Sequence, residues 1–238
     1  VRAEVAKLRY LPLPRWTAAV AVAAPVIAGG FLFGFAPRSD DTYTNTMTIV
    51  LGLIVPIAGI VLGVWFAALE FASGTMQRTL TAEPNRNRVL ASKLVVAIAF
   101  IAVVAVAASA AGGGIAHLAT VRADVGLSQS DLARAVFSSI PDVLLSTAVG
   151  FGFGLLTRSM GGGVTLAIAF TFVLDGALTF VPWLKDYTFG QLTGDLTAHL
   201  SGDGATKHGA GVALLGAVIW LAIILTPGWI SFVRGDLK

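Results

Sequence analysis

Apolar residues in this chain neither alternate nor keep to one helical stripe; they run. The stretches 16–37, 42–69, 94–121, 143–157, 159–184 and 209–233 contain no Asp, Glu, Lys or Arg, with Asp175 the single exception. Burying an ionised group in hydrocarbon is expensive, so uncharged runs of about 20 residues read as membrane-spanning helices. The run 143–157 has 15 residues. At about 1.5 Å per residue it falls short of a hydrocarbon core roughly 30 Å thick, so it must borrow Ile140 and Pro141. The pattern predicts an all-α membrane protein with six spans, at 16–37, 47–69, 94–119, 139–157, 159–181 and 209–233. The whole of 1–238 forms one domain in this reading. The first run is too long for the core of a cleaved signal.

Between the runs lie shorter amphipathic pieces. On a 3.6-residue wheel over 1–15, Val1, Val5 and Leu8 share a face and Arg2, Lys7 and Arg9 lie away from it. That is the pattern of an interfacial helix, ended by Pro12 and Pro14. Ser128 and Asp131 have capping-box spacing ahead of a short helix. Within the outer segment 182–208, Leu192, Leu196 and Leu200 recur every four residues after Phe189, predicting a second short helix, with Trp183 and Tyr187 suited to the headgroup zone. The glycine pairs Gly30/Gly34, Gly59/Gly63 and Gly150/Gly154 read as small-residue faces for close helix packing.

Composition agrees with the pattern: of 238 residues 56% are hydrophobic and 12% charged, where a soluble domain carries about 25% charged residues. The net charge of +3 matters only through its placement. With six spans both termini share a side. That side then holds Arg2, Lys7, Arg9, Arg15, Arg78, Arg86, Arg88, Lys93, Arg158, Arg234 and Lys238, eleven of the sixteen basic residues. The positive-inside rule therefore predicts cytoplasmic termini. Cysteine is absent, which excludes disulfides and thiolate chemistry. His117, His199, Asp203 and His208 lack a tight metal-ligand spacing, and the histidines are expected to be solvated loop residues. No nucleophile–base set emerges, and nothing points to nucleic acid. Two roles are open to Asp175: a polar residue lining a translocation path or gate, or a structural carboxylate hydrogen-bonded to a neighbouring element.

The connection 70–93 reads EFASGTMQRTLTAEPNRNRVLASK. A Gly74-Thr75 break allows Thr75 to cap one short helix over 75–80, and Pro84 offers a start for the long third span. An acidic residue closing span two, a Gly-Thr, a Thr-x-Pro-x-Arg-like run and a Lys opening span three resemble the signature region of permease subunits of type-2 ABC transporters. The matching residues are Glu70, Gly74, Thr75, Arg78, Thr79, Pro84, Arg86, Arg88 and Lys93, with Ala82 and Glu83 widening the gap between Thr81 and Pro84. The resemblance implies that 75–80 is a coupling helix docked on a separate nucleotide-binding ATPase subunit, with Arg78, Arg86 and Arg88 meeting acidic groups there or anionic lipid.

It further implies a non-enzymatic transport subunit in the plasma (bacterial inner) membrane, paired with a second permease, identical or not. The pair would export an amphipathic drug, lipid, glycan or peptide. No Gly-Lys dipeptide exists, so no phosphate-binding G-x-x-x-x-G-K-[ST] loop does either. ATP and Mg are thus expected in the partner chain and no cofactor in this one. A proton- or ion-coupled carrier built on Asp175, or a structural membrane subunit, are the competing readings.

Overall fold

The computed structural model describes residues 2–35, 40–123, 128–202, 204 and 206–234. Val1, Asp203, Lys238 and the side chains of Arg2 and Arg9, all used in the sequence analysis, lie outside this description. Twelve helical segments follow one another, and no strand occurs among the described residues. They are α1 (Arg2–Tyr10), α2 (Pro12–Phe35), α3 (Asp40–Ala72), α4 (Met76–Ala82), α5 (Arg86–Ala123), α6 (Gln129–Phe137), α7 (Ile140–Thr157), α8 (Met160–Ile168), a π-helical segment (Ala169–Leu174), α9 (Asp175–Leu178), α10 (Phe189–Ser201) and α11 (Ala210–Arg234). Among the described residues six helical stretches are long and apolar enough to cross a membrane, the fifth running from Met160 to Leu178 through the π-helical segment. The architecture is that of a multi-pass membrane protein. Exposed Ile27, Phe31 and Phe35 on α2 and Leu215, Ile219 and Ile223 on α11 form an apolar exterior that only lipid or another apolar surface would cover.

The bundle is organised around α3 and α7, its most extensively packed pair. They approach so closely that side chains are excluded. A Cβ on Gly59 would stand 2.6 Å from Thr147 Oγ1, and one on Gly154 2.9 Å from Ala67 Cβ. A Cβ on Gly63 would collide with the backbone oxygen of Thr147, and one on Gly150 with that of Ile60. Two of the three glycine pairs thus face each other across one interface. The third does not: nothing lies within 4 Å of a Cβ on Gly30 or Gly34. The contact between α2 and α5 is made instead by Gly29 against Ile115 and by Gly112, whose Cβ would be 2.6 Å from Pro25 Cβ. Gly152 and Gly228 play the same part between α7 and α11.

At the face opposite the termini, α6 and α10 close the bundle. Ser128 caps α6, accepting from Ser130 N at 3.2 Å. Thr188 caps α10, accepting from Gln191 N at 3.3 Å. Leu192 and Leu196 are buried, but Leu200 is 51% exposed, so the leucine stripe packs for two turns and then leaves the bundle. Asp175 is buried at the end of the fifth crossing, and both its carboxylate oxygens accept the backbone N–H of Gly190 at 3.1 Å. A negative charge suits the first turn of a helix. This contact ties the end of the fifth crossing to the start of α10, as the structural role of Asp175 requires.

Asp195, buried on α10, was not singled out by the sequence. It accepts from Gln191 Nε2 at 2.9 Å, Lys207 N at 3.3 Å and His208 N at 3.1 Å, and its Oδ2 lies 2.9 Å from His208 Nδ1. The histidines are therefore not simply solvated loop residues. His208 pairs with Asp195 and packs at a tilt against the Tyr187 ring, His199 contacts the carbonyl of His208, and His117 sits on α5 beside Gln129. Burial pushes the Asp195 carboxyl up, but its hydrogen bonds, His208 first, hold it below the ordinary value. A carboxylate with a depressed folded pKa contributes stability that is full above the unfolded value of about 3.9 and is lost as pH falls through the folded pKa. Thermal melts between about pH 7 and pH 3 should show a low-pH loss that is smaller in Asp195→Asn, which starts less stable by about 1–3 kcal/mol. Parallel pH profiles in the two proteins would contradict this.

Candidate coupling site

The chain leaves α3 through a Schellman turn. Gly74 adopts φ +67, Thr75 N donates to Glu70 O at 3.0 Å and Gly74 N to Phe71 O at 3.2 Å. This satisfies the last carbonyls of α3 and reverses the chain at a residue without a Cβ. Thr75 stands at the N-cap position of α4 but makes no side-chain cap; its Oγ1 lies 2.8 Å from Ser73 Oγ instead. The helix itself runs Met76–Ala82, two residues past the expected 75–80. Met76 is buried and Leu80 partly buried against a core cluster that includes Phe66, Leu90 and Phe232. One turn apart on the same face, they seat α4 on the bundle, while Gln77, Arg78 and Thr81 face outward.

The third long helix does not restart at Pro84. It begins at Arg86, because Asn85 supplies the cap: its Oδ1 accepts Arg88 N at 3.1 Å. Arg86 is turned away from α4. Its Nη1 donates to the carbonyls of Phe232 at 2.9 Å and Val233 at 3.1 Å, the last turn of α11. Trp229 Nε1 donates to Asn87 at 2.8 Å and Arg158 reaches Ser231, so the end of the final helix is held at three points. The exposed Arg88 bridges the partly buried Glu83 at 3.2 Å.

Behind α4 the entry helix joins the site through charge. Lys93, 1% exposed, lies 3.0 Å from Glu70 and 3.3 Å from Glu4; Lys7 lies 2.9 Å from Glu4 and also pairs with Glu70. Two carboxylates and two ammoniums thus alternate in a neutral quartet spanning α1, α3 and α5. Net neutrality is what makes burial of four charges tolerable. The interfacial wheel is corrected here. Lys7 turns inward with Glu4, because buried carboxylates attract it, and Val5 points out. Partial burial lowers the Lys7 pKa, but the Glu70 and Glu4 carboxylates outweigh it and raise it above the ordinary lysine value. The quartet also holds spare acceptor capacity: Oε2 of both glutamates is buried with no hydrogen-bond partner among the described residues.

A cavity of about 890 Å³ opens between α1, α4 and the start of α5. Of the expected site residues it gathers Glu70, Thr75, Arg78, Thr79 and Arg88. Gly74 forms the turn, Pro84 lies exposed in the connection, and Arg86 serves α11. The residues missed by the site reading are Glu4 and Lys7, with Lys93 noted only as a flank. A glutamate three residues before a lysine on a short entry helix was the available signal. Among the described residues no group of His, Asp or Glu has metal-site geometry. Comparison with known proteins finds no matching family model, no matching curated protein and no matching solved structure.

Proposed function

We propose that this chain is the membrane-spanning permease subunit of an ATP-driven exporter of the type-2 ABC class, working with a separate nucleotide-binding subunit and a second permease. The observation that carries the reading is α4. It is a short rigid helix between the second and third crossings, seated by Met76 and Leu80 and backed by a buried charge quartet, with the exposed Arg78 facing out. A knob of this kind can pass motion of a nucleotide-driven partner to α3 and α5, because it is continuous with both and cannot slide independently of them. The eleven basic residues on the termini side support a cytoplasmic placement of α4. The amphipathic drug, lipid, glycan or peptide expected of the class remains the substrate range of this proposal, and it draws nothing from Asp175.

Mild-detergent purification of the tagged chain from its native membranes, with mass identification of co-eluting chains, tests the assignment. Recovery of a stoichiometric subunit carrying a nucleotide-binding motif supports it, and repeated elution of the intact chain without one overturns it. In that complex Arg78→Glu should lower coupled ATPase activity by about tenfold, as expected when a rim charge is reversed against an acidic surface. Its elution profile should match the parent chain. Arg86→Ala should instead loosen the bundle, since it releases two carbonyls of α11. Unchanged coupling in Arg78→Glu would remove α4 as the docking element.

A further inference from the structure

The face opposite α4 carries a cavity of about 720 Å³ walled by α3, α6, α7 and α10. Its lining contains no large hydrophobic side chain, whereas a gap left by imperfect packing between apolar helices would be lined by methyl groups. The size falls within the roughly 300–1,000 Å³ of small-molecule sites.

The helix α10 explains how such a wall arises. Its Phe189, Leu192 and Leu196 are buried against the bundle. A different face, carrying Gly190, Thr193, Gly194, Thr197, Ala198 and Ser201, lines the cavity. Spacings of three and four place these residues on one side of a helix. Small residues keep the volume open and hydroxyls make it polar. From α7 comes the partly buried Asp142, which lines the same cavity as Thr193. Among the described residues no cation pairs with Asp142. The one arginine of the lining, Arg134, lies at the exposed rim, 3.9 Å from Asp131. Two carboxylates therefore stand against one guanidinium, and the inner carboxylate is the one left over. Asn45 and Thr48 add further polar groups from α3.

We propose that this cavity binds a polyhydroxylated primary ammonium, an amino sugar being the simplest, with Asp142 as counter-ion and Thr193, Thr197 and Asn45 ordering the hydroxyls. A protonated amine offers the N–H donors and the charge that Asp142 lacks. The ring hydroxyls match a lining of donors and acceptors. The site goes beyond the transport reading, and its test needs neither an ATPase nor a transport assay.

The experiment is calorimetric titration of the purified full chain with D-glucosamine, held below the pKa of its amine, and in parallel with N-acetylglucosamine, which keeps the ring but loses the charge. Saturable glucosamine binding is expected, with the acetylated sugar at least about tenfold weaker, the scale of one lost charged contact. Asp142→Asn should weaken glucosamine by a similar factor. Thr197→Trp, which fills the cavity without altering the carboxylate, should abolish binding in a protein whose size-exclusion profile is unchanged. Absence of saturable glucosamine binding would overturn the proposal. So would equal affinity for the two sugars, or full affinity in Thr197→Trp.

Discussion

Gly63→Leu should fail to yield a monodisperse bundle, while Gly30→Leu and Gly34→Leu purify like the parent chain. All three glycines lie in apolar helices, so composition does not separate them. What separates them is the neighbour. A side chain at Gly63 would run into the Thr147 carbonyl and come within 2.8 Å of Phe151 N, both backbone atoms of α7. Overpacking a core costs about 1–3 kcal/mol where side chains can shift. Here the obstacle is helical backbone, so α3 and α7 must move apart and the buried residues on both lose their contacts. Gly30 and Gly34 meet nothing within 4 Å, and leucine there adds only to the apolar exterior. Size-exclusion chromatography in detergent and a thermal melt read the outcome. A well-behaved Gly63→Leu would mean that α3 and α7 are not in this contact.

Lys93→Met should lower stability by about 3–5 kcal/mol, the range for breaking a buried pair by removing one partner. The methionine fits the aliphatic volume, so the loss comes from charge. Glu4 and Glu70 would be left sharing Lys7, with one carboxylate buried and uncompensated. Lys93→Met combined with Glu70→Gln should recover more than half of the deficit, because it leaves the single neutral pair of Glu4 and Lys7. Additive losses in a double-mutant cycle, with no recovery, would contradict the quartet. Glu4→Gln is the informative partner experiment. It leaves two ammoniums on Glu70 and should loosen α1 before the rest of the bundle, which limited proteolysis would detect as early cleavage near the entry helix.

Much of the fold was legible in the sequence because hydrocarbon solvation is a local constraint. An uncharged run must be a span wherever it occurs, so the six crossings, the short α6 and α10, and the amphipathic entry piece were predictable from residues in order. The turn at Gly74 was equally local, since a Schellman exit requires only six consecutive residues. Helix ends were less secure. Thr75 and Pro84 both carried boundary chemistry, yet Asn85 capped α5 and Thr75 turned its hydroxyl to Ser73. Competing caps a few residues apart differ by a fraction of a kcal/mol up to about 2 kcal/mol, and tertiary seating of Met76 and Leu80 is enough to choose between them.

What sequence alone determined, then, is the set of helices, their number and the uneven charge between the two sides. The tertiary structure decided which charges meet. Glu4, Lys7, Glu70 and Lys93 lie on three helices, and no spacing rule links them. Arg86 looked like its neighbour Arg88 until the end of α11 came within reach of it. Asp142 and Asp195 drew no attention in the sequence; their surroundings exist only because α10 lies over one and the segment before α11 reaches the other. The physical reason is range. Hydropathy acts on each residue against its solvent, whereas an ion pair or a hydrogen bond needs a partner within about 3 Å, and only the packed bundle supplies it.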